Sequence, residues 1–302
     1  MQPQAPFYLF SPQNLDLNAE YQVGWKVTDI FPVNSVGIVT GQDKKTIAQT
    51  KSKAIELANV AGLDAEMVKP ILYRPFDSQY IVYDSKVVTR NRHAVMRNLV
   101  SGGNMALITS RMTKGETFKH AQVTTTISEV ICMSPKTSNN GFVFPLYAYP
   151  AQKKRGLFDA NEGEAWPLSE KGRRPNLNPQ FVNELAAKVG LTFMPEGTGD
   201  LTATFGPEDI FAYAYAVLHN PTYRDRYSEF LKMDFPRLPL TSDVARFKAL
   251  VGYGAELVKL HLMTHPALVT IITTYPIQGD NIVAKSYPKY TCLLYTSDAA
   301  DE

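Results

Sequence analysis

Between residues 69 and 149 the apolar residues come in short runs rich in β-branched and aromatic types, and from residue 179 onward they recur at helical spacing. That change of period constrains the fold more than any other feature, because a strand pattern and a helix pattern bury different residues. The runs at 79–83, 105–108, 123–127, 130–132 and 142–149 predict strands, punctuated by Asp-Ser, Gly-Gly and Asn-Asn-Gly turns. Residues 93–100 predict one short helix among them. Farther on, Pro207-Glu208-Asp209 sets a proline in a first turn with two acids at the positive helix end. Ile210, Phe211, Ala214, Val217 and Leu218 then form an apolar stripe that Pro221 stops. Tyr223, Tyr227, Phe230 and Leu231 repeat the spacing in a second helix. Thr241 or Ser242 caps a third, with Val244, Phe247, Val251, Leu257 and Val258 turned inward. Aromatic stripes of this kind are core. The expected class is α/β (mixed α+β), a β-rich N-terminal part followed by a helical C-terminal half.

Ahead of the strands, residues 7–41 read as short strands and loops. Residues 44–61 predict a helix, with Ile47, Ile55, Leu57 and Ala58 at helical intervals and Gly62 as its stop. Residues 150–178 form a polar, Gly- and Pro-containing stretch with two basic clusters, read as a flexible insertion. The 302 residues suffice for one large domain or two small ones. No stretch approaches the roughly 18 to 20 apolar residues of a membrane span, and residues 1–12 lack the charged start of a secretory signal. Two cysteines build neither a disulfide framework nor a zinc site, which suits a reducing cytoplasm. Cys132, between Ile131 and Met133, reads as a small buried hydrophobe.

The last eleven residues, Cys292 to Glu302, resemble the translation of a transposon-type sequencing adapter, and they are set aside from the fold. Without their three acids the chain carries 31 Lys and Arg against 26 Asp and Glu. The excess is local: residues 69–174 hold 16 bases and 8 acids, the remainder 15 and 18. A basic segment on a neutral scaffold suggests a surface that faces a polyanion. From charge alone, a solvated basic face is the simpler reading.

Several chemistries are excluded by missing motifs. No phosphate-binding loop, dinucleotide fingerprint or nucleophile elbow occurs. His93, His120, His219, His261 and His265 do not gather at metal-ligand spacing; His261 and His265 stand four apart without a third ligand. His219, just before Pro221, suits a helix C-terminus. Neither the (Asn/Asp)-Pro-Pro-(Tyr/Phe) loop of an amino-methyltransferase nor its Gly-rich methyl-donor turn is present. One constellation is chemically suggestive: Asp77, Asp84 and Lys86 have the residue types of an Mg²⁺-dependent nuclease. Seven residues apart, the two acids fall on opposite faces of a regular strand, so they serve equally as turn acids at its two ends.

Three segments together resemble the C-terminal specificity region of Type ISP restriction-modification enzymes. The first runs Trp25 to Phe31 and Ser35 to Asp43. The second is Tyr73 to Tyr80, followed by Arg90, Arg92 and Val95-Met96. The third, and most specific, is Tyr213 to His219, Tyr223-Arg224, Tyr227, Phe230 to Lys232 and Asp234 to Pro239. Phe144 to Tyr147 and Leu260 to Met263 add to the match. Gln79 and Gln42 depart from it, standing where the family often carries arginine.

The resemblance implies a lead-in over residues 1–66, following an absent methyltransferase core. Residues 67–291 would then be the target-recognition domain and 292–302 the adapter. It implies sequence-specific recognition of double-stranded DNA for an adenine methyltransferase acting in cis, with no catalytic residue in this stretch and no membrane partner. S-adenosylmethionine, and ATP with Mg²⁺ for restriction, would be cofactors of the parent enzyme. Such a lobe needs cations for phosphates and a few polar side chains for base edges. The candidates are Arg90, Arg92, Arg97, Arg111, Lys114, Lys153, Lys154, Arg155, Arg173, Arg174 and Asn176, with 153–155 and 173–176 favoured as mobile basic loops. Arg74 and Asp77 are expected to be structural and paired. The alternatives are the Mg²⁺ nuclease on Asp77, Asp84 and Lys86, and a scaffold that touches no DNA.

Overall fold

The strand Ala106–Ser110 is buried at every position, so both faces of its sheet are covered. A computed structural model describes residues 14–100, 102–134, 136–150 and 165–270. The first sheet is antiparallel throughout, in the order Ser35–Val36, Gly141–Pro145, Ala106–Ser110, Ala121–Thr124. Its side chains alternate between two cores, as the two-residue period of a strand requires. Leu107 and Phe144 join a large core shared with the helical half, while Ala106, Ile108 and Val143 join a second.

A second sheet runs Ile47–Ala48, Asp77–Val82, Val68–Arg74, Ile127–Ser128, and its last pair is parallel. Ile71, Leu72 and Ile81 face the second core, together with Met96 and Leu99 from helix His93–Val100. Val68 and Val82 pack with Ala54 and Ala58 of helix Lys51–Val60 in a third, smaller core. The mixed α/β class expected from the sequence is the class observed. At the tip of the hairpin that joins Val68–Arg74 to Asp77–Val82, Phe76 adopts φ +60 and is 59% exposed.

In the helical half, Pro207–His219 is buried along nearly its whole length. Its start follows the sequence logic: Pro207 opens the first turn, and the Asp209 carboxylate accepts the Gly206 amide at 2.8 Å and the Gly199 amide at 2.6 Å. Helix Val244–His261 crosses it with Gly254 set against the Ala212 backbone. Helix Pro179–Val189 is capped by the Asn178 side chain and closed by Gly190 in the left-handed region.

Elsewhere the elements differ from their expected bounds. The helix expected over 44–61 is two, Asp43–Thr46 and Lys51–Val60, because Ile47 and Ala48 pair with Ile81 and Tyr80. Thr50 caps the second of these, and Gly62 follows it at φ +66, as its stop requires. The second C-terminal helix divides into Pro221–Arg226 and Ser228–Leu231 at Tyr227, whose hydroxyl donates to Glu20. Helix Val244–His261 is capped by Asp243, not Thr241 or Ser242, and Val244 is exposed. Residues 130–132 turn instead of forming a strand. Cys132 is nonetheless fully buried, 3.0 Å from the Ser128 hydroxyl, and burial pushes its thiol up to about 12.

Residues ahead of 67 are woven into the same body. Trp25–Lys26 pairs with Arg237–Leu238, and Ser35–Val36 and Ile47–Ala48 complete the two sheets. The chain clusters into two compact units, Met1–His265 and Pro266–Glu302. In the second, Pro266–Val269 forms a 3-10 turn. Among the described residues no helix is long and apolar enough to cross a membrane.

Candidate nucleic-acid interface

Two asparagines fasten helix His93–Val100 to one end of the first sheet. The Asn98 side chain accepts the Tyr149 amide at 2.8 Å, and Asn104 donates to the carbonyls of Asn98 and Tyr147, each at 2.8 Å. Both asparagines are buried, so each bond replaces hydration the fold has removed. Arg97, on the outer side of the helix, donates to the Pro150 carbonyl at 2.7 Å and to the Ala94 carbonyl at 3.3 Å. Arg174–Pro175 pairs with Tyr147–Ala148, which sets Arg174 beside the same strand. Arg97, Arg173 and Arg174 are thus brought together where the sheet begins, at the Ala106–Pro145 pair.

Arg173 and Asn176 are spent inside this arrangement. Arg173 is 4% exposed; its guanidinium bonds Glu196 and the Gly103 carbonyl and lies 3.7 Å over the Tyr147 ring. Burial works against the Glu196 carboxylate, but bonds from Arg173 and Lys171 outweigh it and hold the acid below its usual range. Asn176 is 2% exposed, accepts the Val33 amide and donates to the Val33 and Pro145 carbonyls, all at 2.8 Å. The 173–176 segment expected as a mobile basic loop is therefore a strand and its flanks, with Arg174 half-buried at its edge.

Arg111 and Lys114 lie at the opposite end of the same sheet, past the Ser110–Gly141 pair, ~16 Å away along the strand. Arg111 is exposed and sits 3.5 Å from Asp234, and the Lys114 ammonium donates to the Ser138 carbonyl at 3.0 Å. Arg90 is exposed, its backbone bridged to Val39. Arg92 is half-buried at φ +51, and its Nε is buried without a partner among the described residues. Lys153, Lys154 and Arg155 lie outside the described residues. One signal was passed over in the sequence: Ser85 to Gly115 carries six Lys and Arg and no acid, while Asp84 and Glu116 bracket the run.

The acids and histidines of the sequence reading take structural places. Arg74 pairs with Glu129 at 2.8 Å, not with Asp77, because it stands beside the parallel strand Ile127–Ser128. Asp77 accepts from Gln79, and Asp84 accepts the Lys86 amide at the far end of the strand. The two carboxylates are separated by the length of Asp77–Val82, ~20 Å, too far to share a metal ion. Among the described residues no group of three or more His, Cys, Asp or Glu is placed to hold a metal. His261 and His265 diverge, the first to the Tyr215 hydroxyl and the second to Glu256 at 2.5 Å. His219 lies between Tyr215 and Arg224, whose guanidinium donates to its Nδ1 at 3.1 Å. Burial, then Arg224 and His261, push His219 down to about 3. These rings brace the ends of the two long helices.

Residues 56–298 match the family model described as the Type ISP C-terminal specificity domain. No curated protein sequence matches. Among the solved structures that share the fold are three that match over 86% of this chain. They are a cryo-electron microscopy structure of a DrdV–DNA complex (18% identity, TM-score 0.62), the ATP-dependent Type ISP restriction-modification enzyme LlaBIII bound to DNA (15%, 0.62), and a nuclease-deletion mutant of the Type ISP enzyme LlaGI with a DNA substrate mimic (15%, 0.59). This chain spans 27%, 18% and 24% of those chains, respectively.

Proposed function

The chain belongs to the Type ISP C-terminal specificity domain family, and from that premise we propose that it recognises a double-stranded DNA target for a Type ISP restriction-modification enzyme. The observation that carries this reading is the acid-free run from Ser85 to Gly115 together with its placement. Arg90, Arg92 and Arg97 line one helix and its approach, and Arg174 adjoins the helix end through the strand Tyr147–Ala148. Arginines gathered at one helix with no acid in the surrounding run suit a phosphate backbone. The DNA bound by DrdV, LlaBIII and LlaGI, whose structures share this fold, supports the same assignment.

The finer reading is that the target lies beside an adenine methylated by a methyltransferase core in cis. A methyltransferase must extrude its base from the stack, and a separate lobe must hold the flanking pairs in register. S-adenosylmethionine, and ATP with Mg²⁺, would then serve other parts of the parent enzyme, which works where the cell keeps its DNA, in the cytoplasm. Catalysis is not assigned to the residues of this chain.

The test is binding of the chain to a pool of random duplexes across a salt series, without added Mg²⁺. Enrichment of one asymmetric site, with log affinity falling steeply as log salt rises, is the expected result. Negligible binding at low salt by a chain shown to be folded would overturn the reading.

A further inference from the structure

We propose that helix His93–Val100 enters the major groove and that His93 and Ala94 contact base edges there, with Arg90, Arg92 and Arg97 on the flanking phosphates; this rests on the DNA-recognition reading above. The helix is an eight-residue element whose inner face holds Met96 and Leu99 in the second core, with Val95 buried beside them. Its outer face is left to His93, Ala94 and Arg97, spaced i, i+1 and i+4 on one stripe. No acid stands on it or within the flanking run from Ser85 to Gly115. A helix with side chains is about 10–12 Å across and the major groove is about 12 Å wide, so the element fits without remodelling either partner.

The side chains are of suitable kinds. Histidine has ring nitrogens that donate and accept, and a small Ala94 allows close approach and apolar contact with a thymine methyl. Arg97 uses two donors on the Ala94 and Pro150 carbonyls, which pins the guanidinium and leaves further N–H groups for a phosphate. The Asn91 side chain caps the first turn by accepting the His93 amide at 3.2 Å.

Arg92 adds an independent observation. It holds φ +51 immediately before the helix, where its carbonyl accepts the Val95 and Met96 amides at 3.0 Å. Glycine or asparagine would make that turn with less strain. Backbone strain of this kind clusters where a side chain is held for binding, and the half-buried guanidinium, whose Nε has no partner among the described residues, leaves its terminal N–H groups for a phosphate. The other candidates are placed differently: Arg173 and Asn176 are committed internally, and Arg111 and Lys114 lie at the far end of the sheet, Arg111 beside Asp234.

The experiment is selection of duplexes from a random pool by the full chain and by two exposed-site variants, His93→Ala and Ala94→Gln. Guanine-N7 methylation interference on each selected site reports major-groove contact. Each variant is expected to change the preferred base at one or two adjacent pairs by roughly 5- to 150-fold, within a site otherwise unchanged. N7 methylation is expected to interfere at the same pairs. Arg111→Ala should keep the parent's preference at every position. If both variants select the parent's site at every pair, the helix is not the reading element, although DNA recognition stands. If the parent chain selects no site at all, the recognition reading fails and this proposal with it.

Discussion

The Arg173 guanidinium lies 3.7 Å from the centroid of the Tyr147 ring, and the Tyr147 hydroxyl in turn accepts the Gly197 amide at 2.9 Å. With its bonds to Glu196 and to the Gly103 carbonyl, Arg173 ties three segments distant in sequence into one corner. Arg173→Ala takes from Glu196 its buried cation, leaving the exposed Lys171 beside it, and opens the stack on Tyr147. Breaking such a pair costs about 3 kcal/mol, the lower end of the buried range, because Glu196 is partly exposed. Arg173→Lys should recover little of this, since an ammonium neither stacks nor forks. Urea unfolding of the two variants measures it; an Arg173→Ala midpoint equal to the parent's would show that the clamp is not needed.

Gly254 fixes how closely the two long helices approach. A Cβ there would lie 1.8 Å from the Ala212 carbonyl oxygen and 2.5 Å from its carbon, both backbone atoms that cannot step aside. Gly252, two residues earlier on the same helix, has nothing within 4 Å. Alanine improves helix propensity at either position by about 1 kcal/mol. Gly252→Ala should therefore raise the melting temperature, while Gly254→Ala should lose at least ~2 kcal/mol as the helices are forced apart. Thermal unfolding of the pair separates the effects, and a neutral Gly254→Ala would contradict the crossing.

Acid should weaken the fold through His219. Burial, Arg224 and His261 push its pKa down to about 3, and His261 and His120 are lowered as well, in each case chiefly by burial. A histidine kept neutral in the fold but free to protonate at about 6.5 when unfolded favours the unfolded chain at low pH. Stability should be full above pH ~6.5 and fall as the pH drops from there toward 3, by up to ~1.4 kcal/mol per pH unit for each such group. His219→Gln should shallow that decline between pH 6 and 4 without abolishing it, because the other two histidines remain. Melting temperature against pH reads the slope; identical slopes in parent and variant would remove His219 from the account.

What the sequence disclosed depended on how far each determinant reached along the chain. Helices His93–Val100 and Pro207–His219 were legible because their stripes and the Pro207-Glu208-Asp209 start are local. Residues 44–61 misled because pairing with strand Asp77–Val82 overrides a helical period at Ile47 and Ala48. The cap at Asp243 was missed for a smaller reason: three adjacent residues could all cap, and the choice rests on one bond to the Arg246 amide. The candidate interface was less legible. Composition marked 69–174 as basic, but Arg173 and Arg174 are indistinguishable until Glu196, 23 residues away, is seen to take the first. Arg74 likewise finds Glu129 across 55 residues, where adjacency suggested Asp77.

Arg90 and Arg111 distinguish a phosphate-facing cation from a merely exposed one. Both are exposed, but Arg90 has no acid within the surrounding run, while Arg111 sits 3.5 Å from Asp234, which also pairs with Lys26 at 2.8 Å. A cation facing a phosphate releases condensed counterions on binding, and each such contact contributes about 0.9 to the slope of log affinity against log salt. Arg90→Ala should therefore weaken binding to all sequences by a similar factor and lower that slope by about 1. Arg111→Ala should leave the slope within error, because its charge is already partly answered by Asp234. Fluorescence-anisotropy titrations of one duplex at four or more salt concentrations would measure both. Equal losses of slope in the two variants would spread the interface over both ends of the sheet, and no loss in either would move it off this face.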